Sequence, residues 1–133
     1  MTPLKPVYLN LSQTKNEDTL TYPDYIPLKD VYNYEPIPKE LTAEQGKHVL
    51  GTQANVWTEY MADPRKVEYM IFPRVAALSE ILWSPALPRN FSDFQKRLPA
   101  QIKRYDLWGT NYNKAFLANP QKAVNPAKKS AHK

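Results

Sequence analysis

A chain of 133 residues is the size of one ordinary domain, so a function that needs two full domains must draw on polypeptide outside it. Its 42% hydrophobic and 23% charged residues give a globular balance, and 13 Pro against 3 Gly favour fixed turns over flexible loops. With no Cys and only His48 and His132, the composition excludes disulfide frameworks, thiolate zinc sites, cysteine nucleophiles and His-rich metal sites.

Val7-Tyr8-Leu9-Asn10-Leu11-Ser12 alternates with period two, which predicts a short strand presenting Tyr8, Asn10 and Ser12 on one face. Residues 13–47 are rich in Pro, Tyr and charge, and Pro23, Pro27, Pro36 and Pro38 leave room only for helical turns over 26–34 and 42–46. Thr42 with Gln45 is a capping-box pattern, and Gly46 ends that turn. Residues 48–57 form a second apolar run and read as a buried strand. Asp63-Pro64 then sets an N-cap before a Pro at the first helical position, and Val67, Met70, Ile71, Val75, Leu78 and Leu82 follow at helical spacing. Pro73 inside that stretch predicts two short rods meeting near Phe72. A last helix is predicted from Ser92, with Gln95 as capping partner and Phe94, Leu98, Ile102 and Tyr105 on one stripe. It ends near Gly109, with Pro99 kinking or shortening it.

The net charge of +5 is concentrated at one end. Lys122, Lys128, Lys129 and Lys133 lie in an acid-free stretch, so residues 119–133 read as a basic disordered tail and residues 1–118 keep only +1. A nucleic-acid partner loses most of its support there, and a polyanion-binding reading rests on the tail alone. No apolar stretch approaches the roughly 18 residues of a membrane span, and the first residues lack the apolar core of a signal peptide.

The order of strand, long connection, strand, helix, helix suits a parallel α/β fold, but two strands buried on both faces need neighbours. On physical grounds the chain therefore reads as part of a larger fold. Nucleophile elbows, phosphate cradles and zinc helices are absent from the sequence. Tyr8 and Asn10 at one strand end, with Trp57 and Glu59 at the other, supply a phenol, an amide, an aromatic face and a carboxylate. That set can hold a sugar, whose CH faces pack on rings while its hydroxyls bond to amides and carboxylates. Each also has a plainer role: Trp57 as a core ring, Glu59 as a surface carboxylate, Tyr8 as packing and Asn10 as a turn residue.

The run Val49-Leu50-Gly51-Thr52-Gln53-Ala54-Asn55-Val56-Trp57-Thr58-Glu59-Tyr60, followed by Val67-Glu68-Tyr69-Met70-Ile71-Phe72-Pro73-Arg74-Val75-Ala76-Ala77-Leu78-Ser79-Glu80-Ile81-Leu82-Trp83-Ser84, resembles the closing part of the β-N-acetylhexosaminidases of glycoside hydrolase family twenty. With Tyr8-Leu9-Asn10 and Tyr34-Glu35-Pro36, the resemblance covers most of residues 6–112. It implies that residues 1–118 are the C-terminal part of a (β/α)₈ catalytic barrel, with Tyr8 and Asn10 ending the seventh strand and Trp57 and Glu59 the eighth. It further implies hydrolysis of terminal β-linked N-acetylhexosamines with help from the substrate's own acetamido group, without cofactor or metal. Tyr8 would steady the acetamido oxygen, Trp57 would wall the pocket, and Glu59 would hold ring hydroxyls, chiefly that at carbon 4.

Asn10 departs from the family pattern, which has an Asp there. A neutral hydrogen bond is worth about 0.5–1.5 kcal/mol where a charged one reaches about 1.5–3. The family's adjacent Asp-Glu acid/base pair is absent from these residues; Glu17-Asp18 is reversed and lies in a polar loop. Glu68, Arg74 and Glu80 recur in the family's helix and read as structural. The expected partners are glycans ending in N-acetylglucosamine or N-acetylgalactosamine, together with the preceding part of a barrel. A parent enzyme would be exported or periplasmic by analogy, and the competing reading is a non-catalytic carbohydrate-binding remnant.

Overall fold

The computed structural model describes residues 5–15, 17, 20, 22–84 and 88–117. The segment 119–133 expected to be a basic tail lies outside the described residues. Among the described residues five α-helices dominate: α1 (Leu28–Tyr32), α2 (Ala43–Gly46), α3 (Pro64–Ile71), α4 (Arg74–Trp83) and α5 (Phe91–Trp108). Short 3-10 turns occur at Lys5–Val7 and Ala115–Leu117.

The helices follow local chemistry. Thr42 and Gln45 close a reciprocal capping box, with Gln45 N donating to Thr42 Oγ1 at 3.2 Å and Thr42 N to Gln45 Oε1 at 2.9 Å. The carboxylate of Asp63 accepts from Lys66 N at 3.0 Å, and Pro64 occupies the first turn of α3, where no amide is needed. Pro73 separates α3 from α4, and Phe72 between them is extended at φ −91° and ψ 137°, giving the two rods that the sequence predicts. Gly109 ends α5 in the left-handed region at φ 66°.

Two details of α5 differ from expectation. It starts one residue earlier, because the side chain of Asn90 accepts from the amides of both Ser92 and Asp93 and so caps more completely than Ser92 could. It also runs unbroken through Pro99, which sits on the exposed side, where the carbonyl one turn back can turn to water.

Both expected strands fall short of regular structure. The first run begins in a 3-10 turn and folds back at Leu9 and Asn10, with Leu11 N donating to Tyr8 O at 3.2 Å; the alternation breaks because Leu9, Asn10, Ser12 and Gln13 are all buried. The stretch 48–57 opens in a turn at His48 and, among the described residues, pairs only at Asn55, and Leu50 is 95% exposed, so it is not a buried strand. A strand gains its burial from neighbours on both sides, and among the described residues only one side is occupied. What remains are isolated parallel bridges, Tyr8 with Asn55 and Ser12 with Tyr25.

The core gathers these pieces on the helices. Val7 and Leu9 meet Ile26 and Val31, the buried face of α4 (Ala77, Leu78, Ile81) and the predicted stripe of α5, Phe94, Leu98, Ile102 and Tyr105. Helix α1 packs on α4. Helices α4 and α5 lie antiparallel, since Phe72 meets Tyr105 with ring centroids 4.8 Å apart while Glu80 meets Arg97 at the other end. Beyond α5 the chain returns to the junction of α3 and α4, where Asn113 N donates to Phe72 O at 3.1 Å.

Candidate functional site

The parallel bridge organises the candidate residues. Leu9 N donates to Asn55 O at 2.8 Å and Asn55 N to Val7 O at 2.9 Å, which sets Tyr8 beside Asn55. Both segments run in the same direction, so Asn10 and Trp57 each lie two residues beyond the paired positions, at the same end of the pair. Glu59 follows in a turn that Met61 N closes onto Thr58 O at 3.0 Å.

The four candidates differ in exposure. Trp57 is 55% exposed and Glu59 is exposed, so neither is a core group. Tyr8 is half buried against the core cluster, and Asn10 is buried at the fold-back of the first segment. The structure thus offers an accessible aromatic face and carboxylate beside a more deeply held phenol and amide.

A fifth residue joins them that no spacing in the sequence connects. The hydroxyl of Tyr22 lies against the Glu59 carboxylate, and its ring meets Tyr60 edge-on, centroids 5.1 Å apart at 75°. Burial first, and the Glu59 charge second, raise the Tyr22 phenol above its ordinary value, so it stays a neutral donor to Glu59. A signal existed in the Tyr-rich composition of residues 22–34, but not in any pattern that would pair 22 with 59.

Behind the first segment sits Arg74, fully buried. Its Nη2 donates to Leu9 O at 2.7 Å, Leu11 O at 2.9 Å and Met70 O at 2.5 Å, its Nη1 to Ile26 O at 3.1 Å and, more weakly, Ser12 O at 3.5 Å, and its Nε to Met70 O at 3.2 Å. Burial lowers its pKa to about 10, which leaves it fully charged at neutral pH. Gln13 extends the same attachment, donating through Nε2 to Tyr69 O at 2.6 Å and Phe72 O at 3.0 Å.

The other helix charges also tie elements together. Glu80 accepts both nitrogens of Arg97 at 2.6 and 2.7 Å and the Tyr32 hydroxyl at 3.0 Å, and Glu68 accepts Asn111 N at 2.8 Å. Glu17 accepts from Gln13 N, Tyr69 Oη and Asn113 Nδ2, so it serves as the anchor of a loop.

Glycoside hydrolases are among the solved structures similar to this backbone. A β-N-acetylhexosaminidase from Streptomyces coelicolor matches over 86% of this chain and 22% of its own, with a TM-score of 0.71 and 28% identity. An exo-β-N-acetylglucosaminidase from Vibrio harveyi, solved with N-acetylglucosamine, matches over 81% and 17%, with a TM-score of 0.70 and 32% identity. The likeness is thus to part of the glycoside hydrolase fold, and the family follows from sequence. Residues 1–86 match the catalytic domain of glycosyl hydrolase family 20, and the chain belongs to that family. A β-hexosaminidase of Porphyromonas gingivalis is 43% identical over 89 residues, 67% of this chain and 12% of the relative. A β-N-acetylhexosaminidase of Cellulomonas fimi is 30% identical over 122 residues, 91% of this chain and 24% of the relative. The chain thus spans about an eighth to a quarter of the length of these relatives.

Proposed function

We propose that this chain supplies the last two β/α units of a barrel enzyme that removes terminal β-linked N-acetylhexosamine from glycans, Tyr8 and Asn10 belonging to the seventh strand end and Trp57 and Glu59 to the eighth. The parallel bridge of Tyr8 with Asn55 carries the reading, because it sets both polar stretches at one end of a strand pair, where barrel enzymes keep their sites. Trp57 stacks against the apolar face of the terminal sugar, and Glu59, held by Tyr22, binds ring hydroxyls.

Bond cleavage in this scheme is substrate-assisted. The acetamido oxygen attacks the anomeric carbon as the glycosidic oxygen leaves with a proton from a carboxylic acid, and water then opens the cyclic intermediate with retention. Tyr8 donates to the acetamido oxygen as its charge changes. The carboxylic acid belongs to the preceding part of the barrel, since no Asp-Glu pair occurs among these residues.

The test compares the chain alone with the chain joined to the preceding barrel segment of the Porphyromonas gingivalis relative, using a chromogenic N-acetylglucosaminide. Turnover is expected only in the joined protein and should fall at least tenfold in Trp57→Ala and Glu59→Gln. Turnover by the chain alone would sink the incompleteness, and a folded joined protein without turnover would sink the site.

A further inference from the structure

We propose that Arg74 is the positioning residue of the Tyr8 and Asn10 strand end, fixing from behind where the phenol and the amide stand; the inference rests on the reading of those two residues as part of a sugar site. The geometry is specific to one side chain. The carbonyls of Leu9 and Leu11 bracket Asn10, and both accept from Nη2 of Arg74, at 2.7 and 2.9 Å. With the residue on either side pinned to one nitrogen, the backbone of Asn10 has no freedom to rotate independently. Tyr8 is fixed in turn, because its carbonyl accepts from Leu11 N at 3.2 Å and it lies bridged to Asn55 between the Leu9 amide and the Val7 carbonyl, which both bond to Asn55.

The anchor of this arrangement is firm. Arg74 has no exposed surface, and its remaining donors reach Met70 O on the preceding helix and Ile26 O on the next segment. A guanidinium is suited to the task because its donors diverge in one rigid plane and can meet several carbonyls at once. A lysine ammonium is a flexible point charge that cannot hold the same set. In a barrel the helix following a strand lies outside it while the site lies at the strand tip. Arg74 therefore acts on substrate only through the backbone it holds.

The test begins on the chain itself by NMR. In the wild type, scalar couplings should run from Arg74 Nη2 to the carbonyl carbons of Leu9 and Leu11, and their absence would overturn the proposal whether or not any variant folds. In Arg74→Lys, which keeps the charge, the backbone resonances of Leu9, Asn10 and Leu11 and the side-chain amide of Asn10 should move while those of α5 stay. A folded variant in which residues 9–11 do not move overturns it equally.

In the joined enzyme, Arg74→Lys should lower kcat about 100-fold, the usual consequence of misplacing a contact by about 1 Å. Tyr8→Phe should then cost far less in the Arg74→Lys background than in the wild type, because a displaced phenol has little left to lose. Full additivity of the two changes would mark Arg74 as a folding residue only. Absence of turnover in the joined wild type would count against the sugar-site reading, and the couplings and shifts would still decide the clamp.

Discussion

Tyr69 holds its hydroxyl between the Glu17 carboxylate at 3.2 Å and Asn113 Nδ2 at 3.0 Å. Burial, then the charge of Glu17, push its pKa up to about 12 from an ordinary 10. A raised pKa means that the folded chain retains a proton the unfolded chain has lost. The stability tied to Tyr69 is therefore whole below pH 10 and drains away between pH 10 and about 12. Urea titrations across that window should show stability falling with pH, and Tyr69→Phe should flatten the fall. An unchanged slope in the variant would assign the alkaline transition to other phenols, such as Tyr105, which burial also raises. At this scale the sequence singles out Tyr8 and Trp57 by residue type alone, and the structure holds Tyr8 half-buried and leaves Trp57 55% exposed. Tyr22 and the Arg74 clamp were not legible, because a loop crossing and a set of backbone carbonyl acceptors leave no mark in side-chain order.

Helices were easier to read than strands for a physical reason. The caps at Thr42 and Asp63, the break at Pro73 and the stop at Gly109 are decided within four residues, so the sequence contains the whole interaction. The stretch 48–57 could not be judged locally, because a strand's burial depends on segments far away in sequence, and here only Asn55 found a partner. Pro99 shows the same limit in a helix: local rules weigh its missing amide, while the packing of Phe94, Leu98, Ile102 and Tyr105 carries α5 through. Restoring the amide should help. Pro99→Ala is expected to raise stability by about 1–3 kcal/mol, less than the full propensity gap because Pro also restricts the unfolded chain. Chemical denaturation checks it, and a loss of stability would mean that Pro99 makes a contact the helix needs.

For the molecule as a whole, the distribution of tryptophan is informative. Trp57, Trp83 and Trp108, all the tryptophans of the chain, are 55%, 89% and 65% exposed. Large rings are ordinarily among the first groups buried, and Leu50 and Leu107 stand out in water as well. The chain alone should emit at the long wavelength of hydrated indole and shift little on unfolding in urea. Joining it to the preceding barrel segment should move emission to shorter wavelength, and a blue emission from the chain by itself would show that it already hides these rings by self-association. The fold class was legible only in outline, from the order of elements and the family resemblance, because two strands do not define a sheet without their neighbours.

The Arg74 clamp also imposes an order in time. The carbonyl of Leu9 lies 65 residues before the guanidinium that holds it, whereas the ion pair of Glu80 with Arg97 spans only 17. During synthesis residues 9–11 leave the ribosome before Arg74, and at about 5–20 residues per second they wait about 3–13 s for this anchor. Residues 8–12 are thus fixed only after α4 has been made, and a co-translational chaperone would find them without their clamp in the interval.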